Sequence, residues 1–362
     1  MANKIVINSS ILHSNPTGLG VYAKNVVREL YKENPNIRVL SPVEIEGVKV
    51  EKISKYVTPR YKKIGGLIRL LWTQLVLPFK ADKDDIIYHP FQYLTLFSRA
   101  KQIITIHDFI PLYYPEVAKH QNLYYKLMMP MLLKRAYKII AISENTKKDI
   151  LKFYKVDEDK IQVIYNGYDK NIFNDDNINE DILKKYNINY NYLIMVGASY
   201  PHKNLEIAIK AMKDLNEECK LIIVGKDSPY ILKLKVLAKE LGIEEKVNFI
   251  GYVPDEDLPS LYNKSKAFIY TTLYEGFGLP ILEAMACKTP VLTSNNSSLP
   301  EVYKDAALVF ENNNYKDLKE KMELILNDEN LRKELIEKSQ ENIKRFSWKK
   351  TADEIYKILI RR

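Results

Sequence analysis

Short runs of apolar, β-branched residues alternate along the chain with longer segments of helical periodicity. In the first half these runs are KIVINSS, IRVLSP, IIYHP, QIITIHD, KIIAIS and IQVIYNG. After a polar stretch that begins at Asn174, the pattern restarts with YLIMVGA, KLIIVGK, KVNFIGY, AFIYTT and PVLTSN. Runs that are apolar on both faces are typical of parallel strands covered by helices. The pattern therefore predicts two doubly wound α/β domains.

The polar stretch near residues 170–190 marks the predicted domain boundary. We expect an N-terminal Rossmann-like domain over residues 1–172, a C-terminal Rossmann-like domain over residues 173–345 and a C-terminal helix over residues 346–362. The closing segment is amphipathic, and Ser347 is placed to cap it. Because doubly wound sheets bind ligands beyond the carboxyl ends of their strands, two facing domains predict a cleft between them.

Composition restricts the class of protein. The 362 residues are 46% hydrophobic and 28% charged, which is typical of a globular protein. The two cysteines, Cys219 and Cys287, are far apart in apolar surroundings, and we expect reduced thiols in a cytoplasmic protein. No secretion signal is recognised, and no apolar run reaches the ~20 residues that a bilayer requires.

The positive charge lies in the first half of the chain. Residues 1–172 contain 27 Lys and Arg against 16 Asp and Glu, a net charge of +11, whereas the remainder carries −2. This asymmetry favours an anionic partner such as lipid headgroups, a phosphorylated acceptor or nucleic acid, although simple lysine enrichment explains it equally well. No nucleic-acid-recognition motif accompanies the charge, and we expect no nucleic-acid partner.

The clearest chemical signal is YEGFGLPILEAMACKTPVLTS. Gly276 and Gly278 allow backbone amides to approach a ligand closely, and the helix that starts near Pro280 adds oriented N–H groups, so the segment predicts a diphosphate site. Glu275 can accept hydrogen bonds from sugar hydroxyls, and Glu283, inside the helix and roughly two turns along the chain from Glu275, can reach a ribose.

EGFGLPILE matches the Glu-x7-Glu motif of the retaining glycosyltransferase family 4, and the chain resembles that family along essentially its whole length. Further motifs occur in the family's order: TGLGVYAKNV, IHDFIPLYYPE, IAISENTKKDI, IYNGYD, VGASYPHKN, FIGYVPDEDLPSLY and SLPEV. The resemblance implies the GT-B fold and metal-independent transfer of a hexose from a GDP- or UDP-linked sugar to a glycan or lipid-linked acceptor. The HDFIP and PHKN variants resemble mannosyltransferases of polysaccharide assembly.

For the donor, the resemblance implies that Glu275 binds the sugar hydroxyls and Glu283 the ribose. Lys203 resembles the lysine that neutralises the leaving diphosphate. The remaining donor contacts that the resemblance implies are Gly276, Phe277, Gly278 and Leu279 through backbone groups near sugar and phosphate, and Tyr252 and Val253 at the base.

Many family members carry an arginine near this lysine, but here the corresponding places are Ala198 and His202. His202 is a candidate second phosphate cation, provided that it is protonated.

The first glycine loop has two interpretations. Gly18 and Gly20 match the family's flexible loop, which approaches the donor phosphates and the acceptor. GLGVYA also resembles a GxGxxA dinucleotide fingerprint, but about eight residues separate the preceding strand from the first glycine, and that fingerprint follows its strand immediately.

Other residues of the first half match family positions. His107 resembles the histidine near the transferred sugar, with Asp108 beside it; the alternative is a core histidine with a capping aspartate. Asn166 resembles a turn at the interdomain cleft, with a structural role. Ser143 is placed as a helix N-cap.

The stretch PRYKKIGGLIRLLWTQLVLPFK also has two interpretations. It has the composition of a basic amphipathic helix that lies on an anionic bilayer, which would place the enzyme peripherally on the inner face of the membrane. The alternative, which we prefer, is a helix packed on the sheet with its basic end solvated.

We expect neither a metal nor a resident cofactor, since the nucleotide sugar is a co-substrate. Asp-x-Asp spacing occurs in acidic, surface-like turns, where we take it as coincidence: Asp82/Asp84, Asp157/Asp159 and Asp255/Asp257. The competing functions are a nucleotide-sugar epimerase or phosphorylase on the same fold, and a non-catalytic protein that binds nucleic acid or another anion.

Overall fold

The computed structural model describes residues 4–361 except Asn15, Thr17, Val117, Asn177 and Ala198, with the side chains of Lys62 and Lys63 also outside the description. The chain forms two compact units. The N-terminal unit comprises Met1–Gly167 with Phe346–Arg362, and the C-terminal unit comprises Tyr168–Arg345.

The N-terminal unit contains a seven-stranded parallel sheet in the order β3-β2-β1-β4-β5-β6-β7. Its strands are β1 Ile5–Asn8, β2 Arg38–Ser41, β3 Val50–Lys52, β4 Ile86–His89, β5 Lys101–Ile106, β6 Lys138–Ala141 and β7 Ile161–Val163. Its helices are α1 Leu19–Glu33, α2 Lys62–Leu75, α3 Ile110–Tyr113, α4 Lys119–Leu127, α5 Met129–Arg135, α6 Glu144–Phe153 and, at the end of the chain, α15 Trp348–Ile360.

The C-terminal unit contains a six-stranded parallel sheet in the order β10-β9-β8-β11-β12-β13. Its strands are β8 Tyr192–Val196, β9 Lys220–Val224, β10 Val247–Gly251, β11 Ala267–Tyr270, β12 Val291–Ser294 and β13 Leu308–Phe310. Its helices are α7 Asp181–Lys185, α8 Leu205–Lys213, α9 Pro229–Glu240, α10 Leu258–Asn263, α11 Leu279–Ala286, α12 Leu299–Tyr303, α13 Tyr315–Asn327 and α14 Glu329–Asn342.

The central strands are buried along their full length, as their uninterrupted apolar runs predict. Every residue of β1, β4, β11 and β12 is buried. Two predicted helix caps are confirmed. Ser143 Oγ accepts a hydrogen bond from the Thr146 amide at 3.0 Å, and Ser347 Oγ accepts one from the Lys350 amide at 3.2 Å.

Helix α15 belongs to the N-terminal unit although it follows the C-terminal one in sequence. The Trp348 ring meets the Tyr22 ring edge-on at 5.8 Å between centroids, and Thr351 Oγ1 donates to the Tyr165 carbonyl at 2.7 Å. The start of α15 approaches Gly167 so closely that a Cβ there would lie 2.1 Å from the Trp348 nitrogen. Glycine is therefore required at this position.

Gly167→Ala should lower the free energy of unfolding by about 2 kcal/mol, because backbone atoms of α15 would have to move. Gly66→Ala is the matched control, since a Cβ there meets no atom within 4 Å, and alanine in a helix should stabilise by about 0.5–1 kcal/mol. Urea unfolding of the two variants measures the difference; equal stabilities would contradict the packing described for α15.

Candidate active site

Lys203 and Glu275 form a largely buried ion pair at the carboxyl edge of the C-terminal sheet. Lys203 follows β8 and Glu275 follows β11, and these two neighbouring strands mark the point where the strand order reverses. Lys203 Nζ donates to Glu275 Oε1, and the two side chains are only 16% and 13% exposed. Ligands of open α/β sheets bind at such a reversal point.

Hydroxyl groups hold this ion pair in place. The Tyr270 Oη accepts a hydrogen bond from Lys203 Nζ at 3.0 Å, and Thr272 Oγ1 donates to Glu275 Oε1 at 3.0 Å. Ser297 Oγ accepts from the Glu275 amide at 3.0 Å. Sequence reasoning missed Tyr270, Thr272 and Ser297. Their position just at or after strand ends of the same sheet was the available signal.

The Glu275 carboxyl is held ionised. Burial alone would raise its pKa, but the positive charge of Lys203 and the hydrogen bonds from Lys203 and Tyr270 outweigh burial and lower the pKa. An ionised carboxylate only accepts hydrogen bonds, which suits a ligand rich in hydroxyl groups.

His202 is uncharged in this structure. Burial lowers its pKa to about 4, and the neighbouring charge of Lys203 adds to that effect against the opposing influence of Glu275. Burial thus opposes the protonation that a second phosphate cation would require, and this role of His202 stays a prediction. Its carbonyl instead accepts the Leu273 amide at 2.7 Å and joins the two loops of the site. Ala198, the other position considered for a cation, lies outside the described residues.

The glycine-bearing loop leads directly into α11. Gly278 has φ +103°, a conformation that favours glycine, and an added Cβ would lie 2.9 Å from a Leu299 methyl group. The Phe277 carbonyl accepts a hydrogen bond from Ser298 Oγ at 3.0 Å, and Pro280 lies in the first turn of α11. Residues Gly276–Leu279 therefore connect Glu275 directly to the start of α11, which carries a positive partial charge.

Glu283 lies within α11 in an environment that favours its protonated form. Burial, together with the negative charge of Asp255, raises its pKa to about 8, although Tyr262 and Lys203 act in the opposite direction. The Tyr262 Oη lies 3.5 Å from Glu283 Oε2. Tyr252 and Val253, predicted to hold the base, follow β10; Val253 is buried, and the exposed Tyr252 ring lies 4.9 Å from Lys226 Nζ.

His107 follows β5 at the carboxyl edge of the N-terminal sheet. Its Nε2 lies 2.9 Å from the Pro90 carbonyl, which can only accept, so Nε2 carries the proton. Burial lowers the pKa of His107 to about 4, and the ring is neutral with Nδ1 as its acceptor nitrogen. Asp108 Oδ1 accepts from the Ile110 amide at 3.0 Å, which is a local turn contact just before α3.

The first glycine segment differs from expectation in one respect. Gly18, with φ +50°, immediately precedes α1, but Gly20 lies in the first turn of that helix and not in the loop. A Cβ at Gly20 would lie 2.6 Å from Pro16 Cβ, so a close approach requires this glycine. The Asn166 side chain is buried, and its Oδ1 has no hydrogen-bond partner in the described part of the chain.

No group of three or more His, Cys, Asp or Glu side chains comes together as a metal site among the residues that the structure describes. Two of the Asp-x-Asp pairs have local partners. Asp157 Oδ1 accepts from the Asp159 amide at 3.3 Å, and Asp257 Oδ2 binds Lys185 Nζ at 2.6 Å and Tyr186 Oη at 2.7 Å.

Comparison with solved structures identifies the fold class. The crystal structure of HepE from Anabaena in complex with UDP and glucose matches with a TM-score of 0.78 and 19% sequence identity, over 99% of both chains. The two parallel α/β units therefore define a GT-B protein, as the sequence predicted.

Comparison of sequences identifies the family. Residues 16–171 match the family described as Glycosyltransferase Family 4, and residues 178–342 match Glycosyl transferases group 1. The O-antigen chain mannosyltransferase RfbU of Salmonella typhimurium is 30% identical over 84% of this chain and 86% of its own length. O-antigen chain mannosyltransferase B of Escherichia coli is 30% identical over 77% and 76%. The chain belongs to glycosyltransferase family 4 and is a glycosyltransferase, which confirms the predicted enzyme class.

The raised pKa of Glu283 predicts a pH effect on stability. Between the ordinary value of 4.5 and about 8, the folded state holds a proton that the unfolded chain has released, so this group's contribution to stability falls as pH rises. The Glu283→Gln side chain stays neutral at every pH. The melting temperature of this variant minus that of the wild type should therefore be larger at pH 8 than at pH 5.

The exposed Glu320→Gln provides the control, because its difference from the wild type should be nearly the same at both pH values. Thermal unfolding at the two pH values is the measurement. A Glu283→Gln difference that does not increase with pH would refute the raised pKa.

Proposed function

We propose that this enzyme transfers a hexose from a GDP- or UDP-linked sugar to a glycan or lipid-linked acceptor in polysaccharide assembly, with retention of anomeric configuration. The observation that carries the proposal is the buried Lys203–Glu275 pair at the strand-order reversal of the C-terminal sheet. The two relatives named for mannosyl transfer to O-antigen chains and the HepE complex with UDP and glucose support the substrate class.

In the proposed reaction the donor replaces each partner of the ion pair. Lys203 turns to the diphosphate, and Glu275 accepts hydrogen bonds from the sugar hydroxyls. The bond between the anomeric carbon and the phosphate oxygen then breaks through an oxocarbenium-like state. Lys203 and the start of α11 stabilise the negative charge that develops on the leaving group.

Retention requires the acceptor to attack from the face that the leaving group occupies. The acceptor oxygen forms the new bond to the anomeric carbon, and its proton passes to the departing phosphate, so that the products are the glycoside and a nucleoside diphosphate. No covalent sugar–enzyme bond is needed in this scheme.

The other candidate residues bind or orient. Glu283 holds the ribose, and neutral His107 offers Nδ1 to a hydroxyl of the transferred sugar. Backbone groups of Gly276, Phe277, Gly278 and Leu279 contact sugar and phosphate, with His202 beside them as an uncharged residue. Tyr252 and Val253 contact the base, and Gly18 and Gly20 contact the phosphates and the acceptor. Asp108 and Asn166 support these contacts.

The proposed setting is the cytoplasm, with the enzyme attached peripherally to the inner face of the membrane. A lipid-linked acceptor would be held there, and the net charge of +11 in residues 1–172 would be attracted to anionic headgroups. We propose neither a metal nor a resident cofactor.

Lys203→Ala and Glu275→Ala should each lower kcat by about 100-fold or more, because each removes a group that binds the reacting part of the donor. Lys210→Ala, an exposed lysine of α8, is the charge-matched control and should retain the wild-type rate. Release of nucleoside diphosphate, measured with and without acceptor, follows the reaction. Wild-type rates in either site variant would exclude this site, and consumption of donor to an isomeric nucleotide sugar without acceptor would indicate an epimerase.

Thermal shifts with UDP, GDP, ADP and their sugar conjugates, in the presence and absence of EDTA, test donor binding directly. One nucleotide should selectively raise the melting temperature. At 100 times its Kd, binding should add about 2.7 kcal/mol to the free energy of unfolding, and EDTA should not change the shift. Lack of response to every nucleotide would overturn the donor site, and loss of the shift in EDTA would overturn the metal-free proposal.

A further inference from the structure

Helix α2 places two polar side chains inward and leaves a row of apolar side chains exposed to solvent. Arg69 and Thr73 are buried at 7% and 0% exposure and Trp72 packs against the core, whereas the apolar residues on the opposite face are about half exposed or more. These apolar residues form the α2 apolar row: Ile64 69%, Leu67 57%, Leu71 49%, Leu75 60% and, in the turn after the helix, Phe79 88%. A surface helix of a globular protein normally has the reverse orientation.

Specific contacts fix this orientation. A Cβ at Gly65 would lie 2.2 Å from the Thr58 carbonyl, so only glycine allows this face of α2 to approach the preceding turn. Arg69 Nη1 donates to the Val57 carbonyl at 3.0 Å, and its guanidinium lies 5.0 Å from the centre of the Tyr93 ring. The outward position of the apolar row is therefore built into the packing of the N-terminal unit.

The inverted packing has a free-energy cost. Thr73 Oγ1 and Arg69 Nε are buried without hydrogen-bond partners among the described residues, and a buried polar group of this kind is unfavourable. The exposed leucines also forgo the stabilisation that burial provides. A partner that covers the apolar row would recover that stabilisation.

The charge around the row identifies the kind of partner. Residues 55–80 contain six Lys and Arg and no Asp or Glu, although Arg69 is buried and Lys80 pairs with Glu51 at 2.8 Å. Lys55 and Arg60 are exposed just before the N-terminal end of α2. A second copy of the same surface would bring like charges together, which opposes association. An anionic bilayer instead offers apolar tails for the row and negative headgroups for its basic surroundings.

We propose that the α2 apolar row docks the enzyme on an anionic lipid bilayer, with the helix lying in the plane of the interface. The described part of the chain has no helix long and apolar enough to cross a membrane. With 14 residues, α2 extends ~21 Å along the surface. The α2 apolar row inserts between headgroups, while Lys55 and Arg60 face the phosphates. This inference rests on the peripheral membrane attachment proposed above and assigns it to α2; because docking needs neither donor nor acceptor, it is tested separately from sugar transfer.

Co-sedimentation of the full chain with lipid vesicles tests this proposal. The wild type should bind phosphatidylcholine vesicles that contain phosphatidylglycerol more tightly than pure phosphatidylcholine vesicles, and salt should weaken the difference. Leu71→Gln/Leu75→Gln should weaken binding about tenfold or more. Lys55→Gln/Arg60→Gln should weaken it about fivefold per charge on the anionic vesicles.

Leu232→Gln/Val236→Gln is the matched control, because these residues are also four positions apart on a helix and are 59% and 54% exposed. This control should bind like the wild type, and circular dichroism should show that all variants are folded. Equal binding to both vesicle types, or equal loss in the control, would overturn the proposal. A dimer that dissociates in Leu71→Gln/Leu75→Gln would assign the row to a second copy instead. The nucleotide thermal shift is measured in parallel, so that failure of donor binding is distinguished from failure of docking.

Discussion

Parallel pairing is the constraint on which the rest of this structure depends. A strand that follows another in parallel can be reached only if the chain crosses back over the sheet, so helices cover both faces and every strand ends at the same edge. Residues far apart in sequence are therefore brought together wherever neighbouring strands end. Lys203 and Glu275 meet in this way although 72 positions separate them.

The second constraint is electrostatic. A carboxylate and an ammonium group largely removed from water are unfavourable unless they compensate each other, as Lys203 and Glu275 do. In the proposed reaction the donor, which carries both a diphosphate and several hydroxyls, replaces the partner of each group without leaving either charge unpaired. Tyr270 and Thr272 hydrogen-bond to the pair, and we propose that their hydroxyls keep the two charged groups in position during that exchange.

Much of this arrangement could be predicted from the sequence, because it depends on local signals. Apolar runs identified the strands other than β3 and β13. Ser143 and Ser347 identified helix starts, and the segment around Glu275 identified the glycine loop and α11. What the sequence did not show depends on tertiary environment. His202 was a plausible cation by residue type, but burial makes it neutral. The sequence showed Tyr270 only as one residue of a predicted strand, whereas in the fold its hydroxyl contacts Lys203.

The orientation of α2 shows a different limit. Helical periodicity reveals that two faces differ, but it does not say which face points inward. An apolar face usually points to the core, and on that rule the preferred interpretation of this segment was a helix packed on the sheet. The inward side is decided instead by close approach at Gly65 and by the carbonyl that Arg69 reaches, both of which are tertiary contacts. Trp72 still packs against the core, but Leu67, Leu71 and Leu75 are left exposed. The same amphipathic pattern can thus pack its apolar face into a core or leave that face at the surface. In α2 the close approach of Gly65 to Thr58 distinguishes the two.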